Sequence, residues 1–397
     1  MPPADDLTVT ESESIRGDCH PEFVPVRDAF EQNLMTRGEV GAAVSVYRSG
    51  ERVVDLWGGQ LDRKSGAPWE RDTIVCMMSV GKSMAALCLL RLVDRGAVEL
   101  DAPVAGYWPE FAQAGKAKIT VRQILGGQAG LMYADHAPEG SIFDWDVMAA
   151  ALAKQAPEWP PGTRGAYHSS TQGFLLGEIL RRVDGRRFDT FFAEEIAGPL
   201  GVDFQYGLSD ADIRRVTDLI PNRDSTTFKE IATPGTNLNR AWRPQPKVRG
   251  LVNTEIFRKA VFPSGNGHGN ARGIARIYGA LANGGEIDGV RVLSPELIDE
   301  LRTPSWEGIC DLTGRQFRYG LGFFLSSYPD RELGTHFSSN PRSFGHHGAG
   351  GAIGFCDPEA NFSFSYSPNF MCAGAGVGER CEALIDATLR CIPDVGV

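Results

Sequence analysis

The chain has 397 residues, 42% of them hydrophobic and 23% charged, and its 40 Lys and Arg against 50 Asp and Glu give a net charge of −10. An acidic chain without a run of Lys or Arg is a poor match for nucleic acid or an anionic membrane surface, so we expect neither as a partner. No stretch approaches the roughly 18 apolar residues of a membrane helix. The acidic start is unlike a signal peptide, and we expect a cytoplasmic protein.

The eight Cys and seven His form neither a CxxC pair nor an HExxH motif. In a reducing compartment such cysteines are small buried side chains or free thiols. We therefore expect no metal site and no other cofactor. The 47 glycines indicate a chain with many loops and turns.

The first predicted elements are a tail, a hairpin and a helix. Residues 1–20 are predicted to be a polar N-terminal tail, and residues 40–47 and 52–57 are apolar runs around a turn, which predicts a β-hairpin. Residues 79–95 are rich in Ala, Leu and Met at helical spacing and are followed by Gly96, a typical C-terminal cap. Apolar residues on all sides of this helix indicate that it is buried.

Further along the chain, helices are predicted at 121–125, 148–154, 173–183, 271–283 and 377–392, and strands at 322–325, 351–356 and 361–366. Residues 203–270 are irregular and rich in Pro, Gly and Asn. An irregular segment of this length in a compact chain is usually functional or covers a site.

The order of strands, helices, strands and a last helix predicts an α/β (α+β) fold. Strands from both chain ends can pair in one antiparallel sheet flanked by helices, with the middle of the chain as an inserted, mainly helical domain. We predict a sheet domain of residues 21–100 and 271–397, and a helical and irregular domain of residues 101–270 that covers the cleft. That cleft is the expected site.

Three motifs of other enzyme classes are incomplete. Residues 81–83 resemble the end of a phosphate-binding loop, but Cys76 stands where that loop needs Gly. Residues 348–353 begin like a dinucleotide fingerprint, but Ile353 occupies its third Gly position. The GxSxG nucleophile motif fails because Met77 stands at its first Gly. These departures exclude nucleotide binding through either loop.

A Ser-x-x-Lys tetrad, Ser79 to Lys82, opens the predicted buried helix. Residues three apart share a helix face, so Lys82 Nζ can reach Ser79 Oγ. The helix N-terminus favours developing negative charge at Ser79, and desolvation would lower the pKa of Lys82 toward a neutral, basic amine. The alternative is that Ser79 only caps the helix and Lys82 is a surface residue. The spacing alone leaves both open.

Two further segments carry candidate chemistry. Tyr167, at a loop-to-helix junction, either points into the cleft and transfers a proton or packs as a core aromatic. The Gly-rich residues 344–351 lead into a predicted strand. They either let a backbone N–H approach a substrate oxygen or form only a hairpin.

Together, Ser-x-x-Lys at 79–82, Tyr-x-Ser at 167–169 and His-His-Gly at 346–348 resemble the serine β-lactamase and penicillin-binding-protein superfamily. Their order and approximate spacing are similar to the class C branch, and most of all to its family VIII carboxylesterases. Residues 100–104, 124–131 and 319–322 also resemble segments of this family. The resemblance runs from about residue 40 to the terminal helix.

The resemblance implies a role for each motif. Ser79 would be the acylated nucleophile, Lys82 would accept or relay its proton, and Tyr167 would be a second base that later activates water or an acceptor alcohol. The backbone N–H groups of Ser79 and Ala349 would form the oxyanion hole.

By the same resemblance, Ser169, His346, His347 and Gly348 are expected to bind substrate. Ser169 replaces the Asn of the family's second motif, and His346 replaces the Lys that binds a carboxylate in lactamases. A histidine is mostly neutral near pH 7, which favours neutral esters. His347 can still donate one hydrogen bond, and His168, which has no inherited role, is expected to be structural.

We therefore expect a serine hydrolase that cleaves small-molecule carboxylic esters through an acyl-enzyme. An acyltransferase, an amidase or D-aminopeptidase, and a weak β-lactamase side activity use the same intermediate and remain open, as does a non-catalytic scaffold. Tyr133, Phe143 and Trp242 either line the cleft or belong to the core.

Overall fold

Strands from both ends of the chain build the main sheet of the protein. The computed structural model describes residues 8–9, 15–327, 337–374 and 376–392. In chain order, the strands are β1 (Thr8–Val9), β2 (Ile15–Cys19), β3 (Gly41–Arg48), β4 (Glu51–Gly59), β5 (Val75–Cys76), β6 (Phe204–Gln205), β7 (His268–Gly269), β8 (Glu286–Ile287), β9 (Val290–Arg291), β10 (Trp306–Ile309), β11 (Gln316–Tyr319), β12 (Phe324–Leu325), β13 (Phe344–His347), β14 (Ile353–Asp357) and β15 (Phe362–Pro368).

Helices fill the middle of the chain and flank the sheet. In chain order, they are α1 (Val24–Thr36), α2 (Gly81–Asp94), α3 (Val121–Leu125), α4 (Trp145–Lys154), α5 (Gln172–Asp184), α6 (Phe188–Phe192), α7 (Gly198–Leu200), α8 (Asp210–Ile213), α9 (Thr226–Ala232), α10 (Asn237–Ala241), α11 (Glu255–Lys259), α12 (Ala271–Ala282), α13 (Pro295–Leu301) and α14 (Glu379–Arg390). Within the described part of the chain, no helix combines the length and apolarity needed to cross a bilayer.

The main sheet has ten strands in the order β1-β2-β4-β3-β15-β14-β13-β12-β11-β10. Every neighbouring pair is antiparallel, and the pairing of β3 with β15 joins the two chain ends. The predicted fold class, an antiparallel sheet built from both ends and flanked by helices, is confirmed. The two domain boundaries near residues 100 and 270 remain a prediction.

Both faces of the central strands are buried, because successive side chains of a strand point to opposite faces. Val44 and Val46 of β3 pack in one cluster with residues of α1 and α14, whereas Ala43 and Tyr47 pack in the other with residues of α12. The predicted hairpin, the buried helix ending before Gly96 and the later helices and strands all appear, with ends shifted by a few residues.

The prediction of a polar tail over residues 1–20 is wrong for residues 15–19. They form β2, which pairs with β4, and the side chains of Ile15 and Cys19 are only 1% exposed. Two apolar side chains four positions apart lie on the same face of a strand, so β2 buries this face although the residues between them are polar. Residues 1–7 and 10–14 lie outside the described residues.

The segment 203–270, predicted to be irregular, contains four helices of four to seven residues, α8 to α11. Its two ends form β6 and β7, which pair with each other, and β7 also pairs with β5. Since β5 leads directly into the tetrad at Ser79, this small sheet fixes one end of the segment beside the candidate nucleophile.

Candidate active site

A cavity of about 350 Å³ lies where strands β11 to β13 of the main sheet meet the helical part of the chain. Ser79 and Tyr167 line it, together with many apolar side chains. Among the apolar ones are Phe143, Leu219, Phe228, Trp242, Phe257 and Phe317. A concave, mostly apolar site with a few polar groups is typical of a small-molecule site.

Ser79 lies at a sharp change of backbone direction between β5 and α2. Residues Met78–Val80 form a single 3-10 turn, and Met78 has φ +50°. The left-handed region costs energy for a residue with a side chain, and such strain is concentrated at functional sites. The turn leaves Ser79 partly exposed at the cavity while the residues on both sides of it are buried.

Lys82 is completely buried, and its Nζ lies 2.9 Å from Ser79 Oγ and 2.5 Å from the carbonyl oxygen of Ser264. Burial lowers the pKa of Lys82 well below its ordinary value, and no carboxylate in the described part of the chain pairs with it. A neutral amine has a lone pair that can accept the Ser79 hydroxyl proton. The alternative of a surface Lys82 is therefore wrong, and α2 begins without a side-chain cap from Ser79.

Tyr167 completes a group of three polar side chains at this end of the cavity. The centroid of its ring lies 4.8 Å from Lys82 Nζ and 5.6 Å from the ring centroid of Phe324. Burial raises the pKa of Tyr167 well above its ordinary value, and a hydrogen bond with Ser79 offsets part of this effect. The phenol therefore keeps its proton near neutral pH.

His168 fixes the backbone on either side of Tyr167. Its Nε2 accepts a hydrogen bond from the Leu131 N–H at 3.0 Å, and its Nδ1 lies 2.9 Å from the Ala166 carbonyl oxygen, to which it donates. Burial lowers the pKa of His168 to about 4, so the ring stays neutral and keeps this tautomer. The expected structural role agrees with these contacts.

Ala349, the predicted second oxyanion donor, lines the same cavity as Ser79 in the turn after β13. Within the described residues, its backbone N–H has no backbone acceptor. Gly348 packs so closely that a Cβ there would lie 2.3 Å from the Met77 carbonyl oxygen. Only glycine allows β13 to end this close to the segment that carries Ser79.

The predicted substrate contacts divide into two pairs. Ser169 and His347 line the cavity, whereas His346 and Gly348 are buried and are absent from its lining among the described residues. Contact of these four residues with substrate remains a prediction, and the lining favours Ser169 and His347. Neighbouring side chains of β13 point to opposite faces, so only one histidine of the pair reaches the cavity.

Both histidines are neutral at pH 7. Burial lowers the pKa of His347 to about 4 and that of His346 further below its ordinary value. The His346 ring lies 4.6 Å from the ring of Phe324 and 5.8 Å from that of Tyr167, between centroids. His346 is thus an uncharged side chain behind Tyr167 rather than a cation in the cavity.

Of the three aromatic residues left open by the sequence, Phe143 and Trp242 line the cavity, and Trp242 Nε1 donates to Ser169 Oγ at 3.0 Å. Tyr133 does not line it, and its ring packs against the guanidinium of Arg240 at 3.8 Å. Sequence reasoning missed Arg315, which lines the cavity just before β11. It belongs to no motif. It directly follows the segment Leu312–Gly314 and stands one residue before the strand.

Comparison with known proteins gives the same family as the site motifs. A family model described as Beta-lactamase matches residues 26–374. The chain is 35% identical over 362 residues to the Esterase/beta-lactamase LipL of Mycobacterium tuberculosis (strain ATCC 25618 / H37Rv), covering 89% of this chain and 82% of that protein.

Two solved structures share the whole architecture. A family VIII carboxylesterase has 38% sequence identity and a TM-score of 0.86, covering 95% of this chain and 99% of that one. A penicillin-binding protein homologue from Caulobacter crescentus has 37% identity and a TM-score of 0.85, with the same coverage. The resemblance inferred from the three motifs is confirmed, and the chain belongs to the Beta-lactamase family.

Proposed function

We propose that the protein is a serine carboxylesterase that works through an acyl-enzyme on Ser79. The observation that carries this proposal is the 2.9 Å contact between Ser79 Oγ and the buried Lys82 Nζ at an apolar cavity. A hydroxyl beside a neutral amine is an activated nucleophile with its base. The esterase and carboxylesterase names of the relatives with 35% and 38% identity support the same reaction.

In the acylation step, Ser79 Oγ attacks the ester carbonyl carbon as Lys82 takes the hydroxyl proton. The backbone N–H groups of Ser79 and Ala349 stabilise the negative charge on the carbonyl oxygen. The Tyr167 phenol, which keeps its proton, donates it to the leaving alcohol oxygen and receives one from the Lys82 ammonium. The C–O bond to the alcohol breaks, and the free enzyme groups regain their original charges.

Deacylation reverses these proton movements with water in place of the alcohol. Water attacks the acyl carbon and passes a proton to Tyr167, which returns its own to Lys82. Ser79 Oγ leaves with a proton from the Lys82 ammonium, and the carboxylic acid is released. Tyr167 thus acts as the second base expected from the sequence, but as a relay of Lys82 rather than as a preformed phenolate.

Esters are favoured over β-lactams as substrates because no lysine stands at position 346 and the two histidines of β13 are neutral. Apolar side chains form most of the cavity wall, which suits an apolar acyl or alcohol group. We further place the reaction in the cytoplasm, where the eight cysteines would stay reduced.

The test is hydrolysis of a chain-length series of p-nitrophenyl esters measured beside nitrocefin, with Ser79→Ala as the control. We expect turnover of the esters, a much lower kcat/KM for nitrocefin and loss of both in the control. Faster nitrocefin hydrolysis would overturn the preference for esters, and the absence of any ester turnover would contradict the proposed function.

A further inference from the structure

The charge of the cavity wall comes from one residue. Of the described residues that line the cavity, Arg315 is the only one with a permanently charged side chain, and neither a carboxylate nor a lysine accompanies it. The other polar lining groups are hydroxyls, amides and the neutral His347. Among the described residues, the cavity wall therefore carries one positive charge without a countercharge beside it.

Arg315 is unusual among the arginines near it because it has no acidic partner in the described part of the chain. Two nearby carboxylates are already engaged: Asp311 pairs with Arg164 at 3.4 Å, and Glu307 pairs with Arg318 at 3.0 Å. A guanidinium at an apolar wall without an anion has lost part of its hydration and gained no ion pair, so an anionic ligand would bind there favourably.

The position of Arg315 directs its charge into the chamber that holds the reacting groups. Arg315 directly precedes β11, and both Arg315 and Phe317, two residues further on, line the cavity. The positive charge of Arg315 adds to burial in lowering the pKa of His347, two residues before Ala349. A group bound to the guanidinium is therefore in the same space as the proposed oxyanion site.

We infer that Arg315 is a specificity-determining residue that binds a carboxylate on the ester substrate. The substrate class is an ester whose apolar part ends in a carboxylate, such as a half-ester of a dicarboxylic acid. The planar guanidinium can bind that carboxylate through two parallel hydrogen bonds, while Phe317 and Phe324 on the same wall contact the hydrocarbon part. This inference rests on the proposed esterase activity and names its substrate more closely.

Position 346 therefore does not decide by itself whether the cavity holds a cation. A neutral histidine there removes the cation of the third motif, but it does not leave the cavity without a cation. In this chain the cation comes from the turn before β11. The carboxylate would then lie against the β11 wall, away from the place where the third motif would bind it.

The experiment compares two p-nitrophenyl esters with the same number of acyl carbons, the hexanoate and the mono-ester of adipic acid. The variants are Arg315→Gln, Arg315→Lys and, as the control, Arg164→Gln, which removes an arginine that is paired with Asp311 and does not line the cavity. Thermal unfolding of each variant checks that the fold is intact.

For Arg315→Gln we expect kcat/KM for the adipate mono-ester to fall about 10- to 100-fold, the range of one charge-assisted interaction, with the hexanoate changed about twofold or less. Arg315→Lys should recover part of the loss, and Arg164→Gln should leave the ratio of the two substrates unchanged. An equal effect of Arg315→Gln on both esters would overturn the inference and leave the proposed function standing. A wild-type enzyme that hydrolyses neither ester would contradict both.

Discussion

Burial favours the uncharged form of the Lys82 amine. Its burial, with no carboxylate partner among the described residues, holds the pKa of Lys82 well below the ordinary value, so the proton is more easily lost and the lone pair is available to Ser79. A buried lysine that contacts a hydroxyl at a cavity supports the proposed role of Lys82 as the base for Ser79.

Lys82→Met tests this role directly. Methionine fills the same apolar space without a base, so we expect the variant to fold and its ester kcat to fall at least about 100-fold, as for the loss of a general base. Lys154→Met, which removes an exposed lysine from α4, is the control and should keep wild-type turnover. Near-normal turnover of Lys82→Met would remove Lys82 from the mechanism.

Tyr167→Phe removes only the phenol oxygen of the proposed relay. We expect ester kcat to fall by about 100-fold or more, because neither the leaving alcohol nor the attacking water would have its proton partner. Tyr107→Phe is the matched control, since that phenol only accepts a hydrogen bond from the Glu99 N–H. Steady-state kinetics that show equal effects of the two substitutions would argue against the relay.

At the scale of residues, the sequence motifs located the candidate reacting groups more clearly than the candidate binding groups. Ser79, Lys82 and Tyr167 belong to motifs whose spacing is fixed by chemistry, and the structure brings them together. For His346, substrate contact remains a prediction, because a motif does not reveal which face of a strand a residue occupies; the structure buries this side chain beside Tyr167. Arg315 was missed because a single arginine among many carries no pattern.

At the scale of elements, α2 and the 3-10 turn before it carry the Ser-x-x-Lys tetrad. Gly81, inside the tetrad, lies against the Tyr206 phenol and the backbone of the segment that ends at β7. A Cβ at Gly81 would lie 2.7 Å from Tyr206 Oη and 2.8 Å from the Pro263 carbonyl oxygen. The glycine of Ser-x-Gly-Lys is therefore required for packing at the position that fixes Ser79 and Lys82.

Gly81→Ala should consequently affect both stability and turnover. We expect the free energy of unfolding to fall by about 1–3 kcal/mol, the usual cost of overpacking, with a lower kcat because the tetrad moves. Gly106→Ala is the matched control, since nothing lies within 4 Å of its Cβ position and its φ is not positive. Urea unfolding curves that show the same stability for both variants would contradict the packing argument.

The elements that the sequence missed are those with few apolar residues. Helix α1 buries Val26, Phe30 and Asn33, too few apolar side chains to give a clear helical period. Strand β2 buries only its first and last residues. By contrast, α2 and the β3–β4 hairpin are dense in apolar residues, and their positions were predicted within a few residues. Tertiary packing, rather than local pattern, determines the sparse elements.

For the whole molecule, burial of neutral histidines links stability to pH. Burial lowers the pKa of His168, His268 and His347 from 6.5 to about 4. Between pH 4 and 6.5 the unfolded chain binds more protons than the folded one, so stability is fully present above pH 6.5 and is lost as the pH falls toward 4. Each histidine contributes about 2 kcal/mol of this loss between pH 6.5 and 5.

His268→Asn isolates one of these contributions away from the proposed reaction. Asparagine keeps a donor near the Asn266 carbonyl oxygen that His268 Nδ1 contacts at 2.7 Å, but it does not titrate. We expect the loss of stability between pH 7 and pH 5, measured by urea unfolding, to be smaller by about 2 kcal/mol than in wild type. His136→Asn, at an exposed histidine, should leave the loss unchanged. An equal loss of stability between pH 7 and pH 5 in the wild type and both variants would contradict the effect expected from burial of His268.

The overall architecture was predictable because its strongest signals are global. Apolar strands at both ends and a buried helix between them leave few arrangements other than one sheet with a helical insertion. The cavity wall was not predictable in the same way. It is built from short helices of the segment 203–270 and from strand β11. The positions of these elements depend on contacts between residues far apart in the chain.

The central claim, a covalent acyl-enzyme on Ser79, is tested most directly by labelling with a fluorophosphonate followed by intact-mass and peptide mass spectrometry. The account predicts one added phosphonyl group in the wild-type protein, located on Ser79, and none in Ser79→Ala. No mass gain in the wild type, or equal labelling of Ser79→Ala, would contradict it.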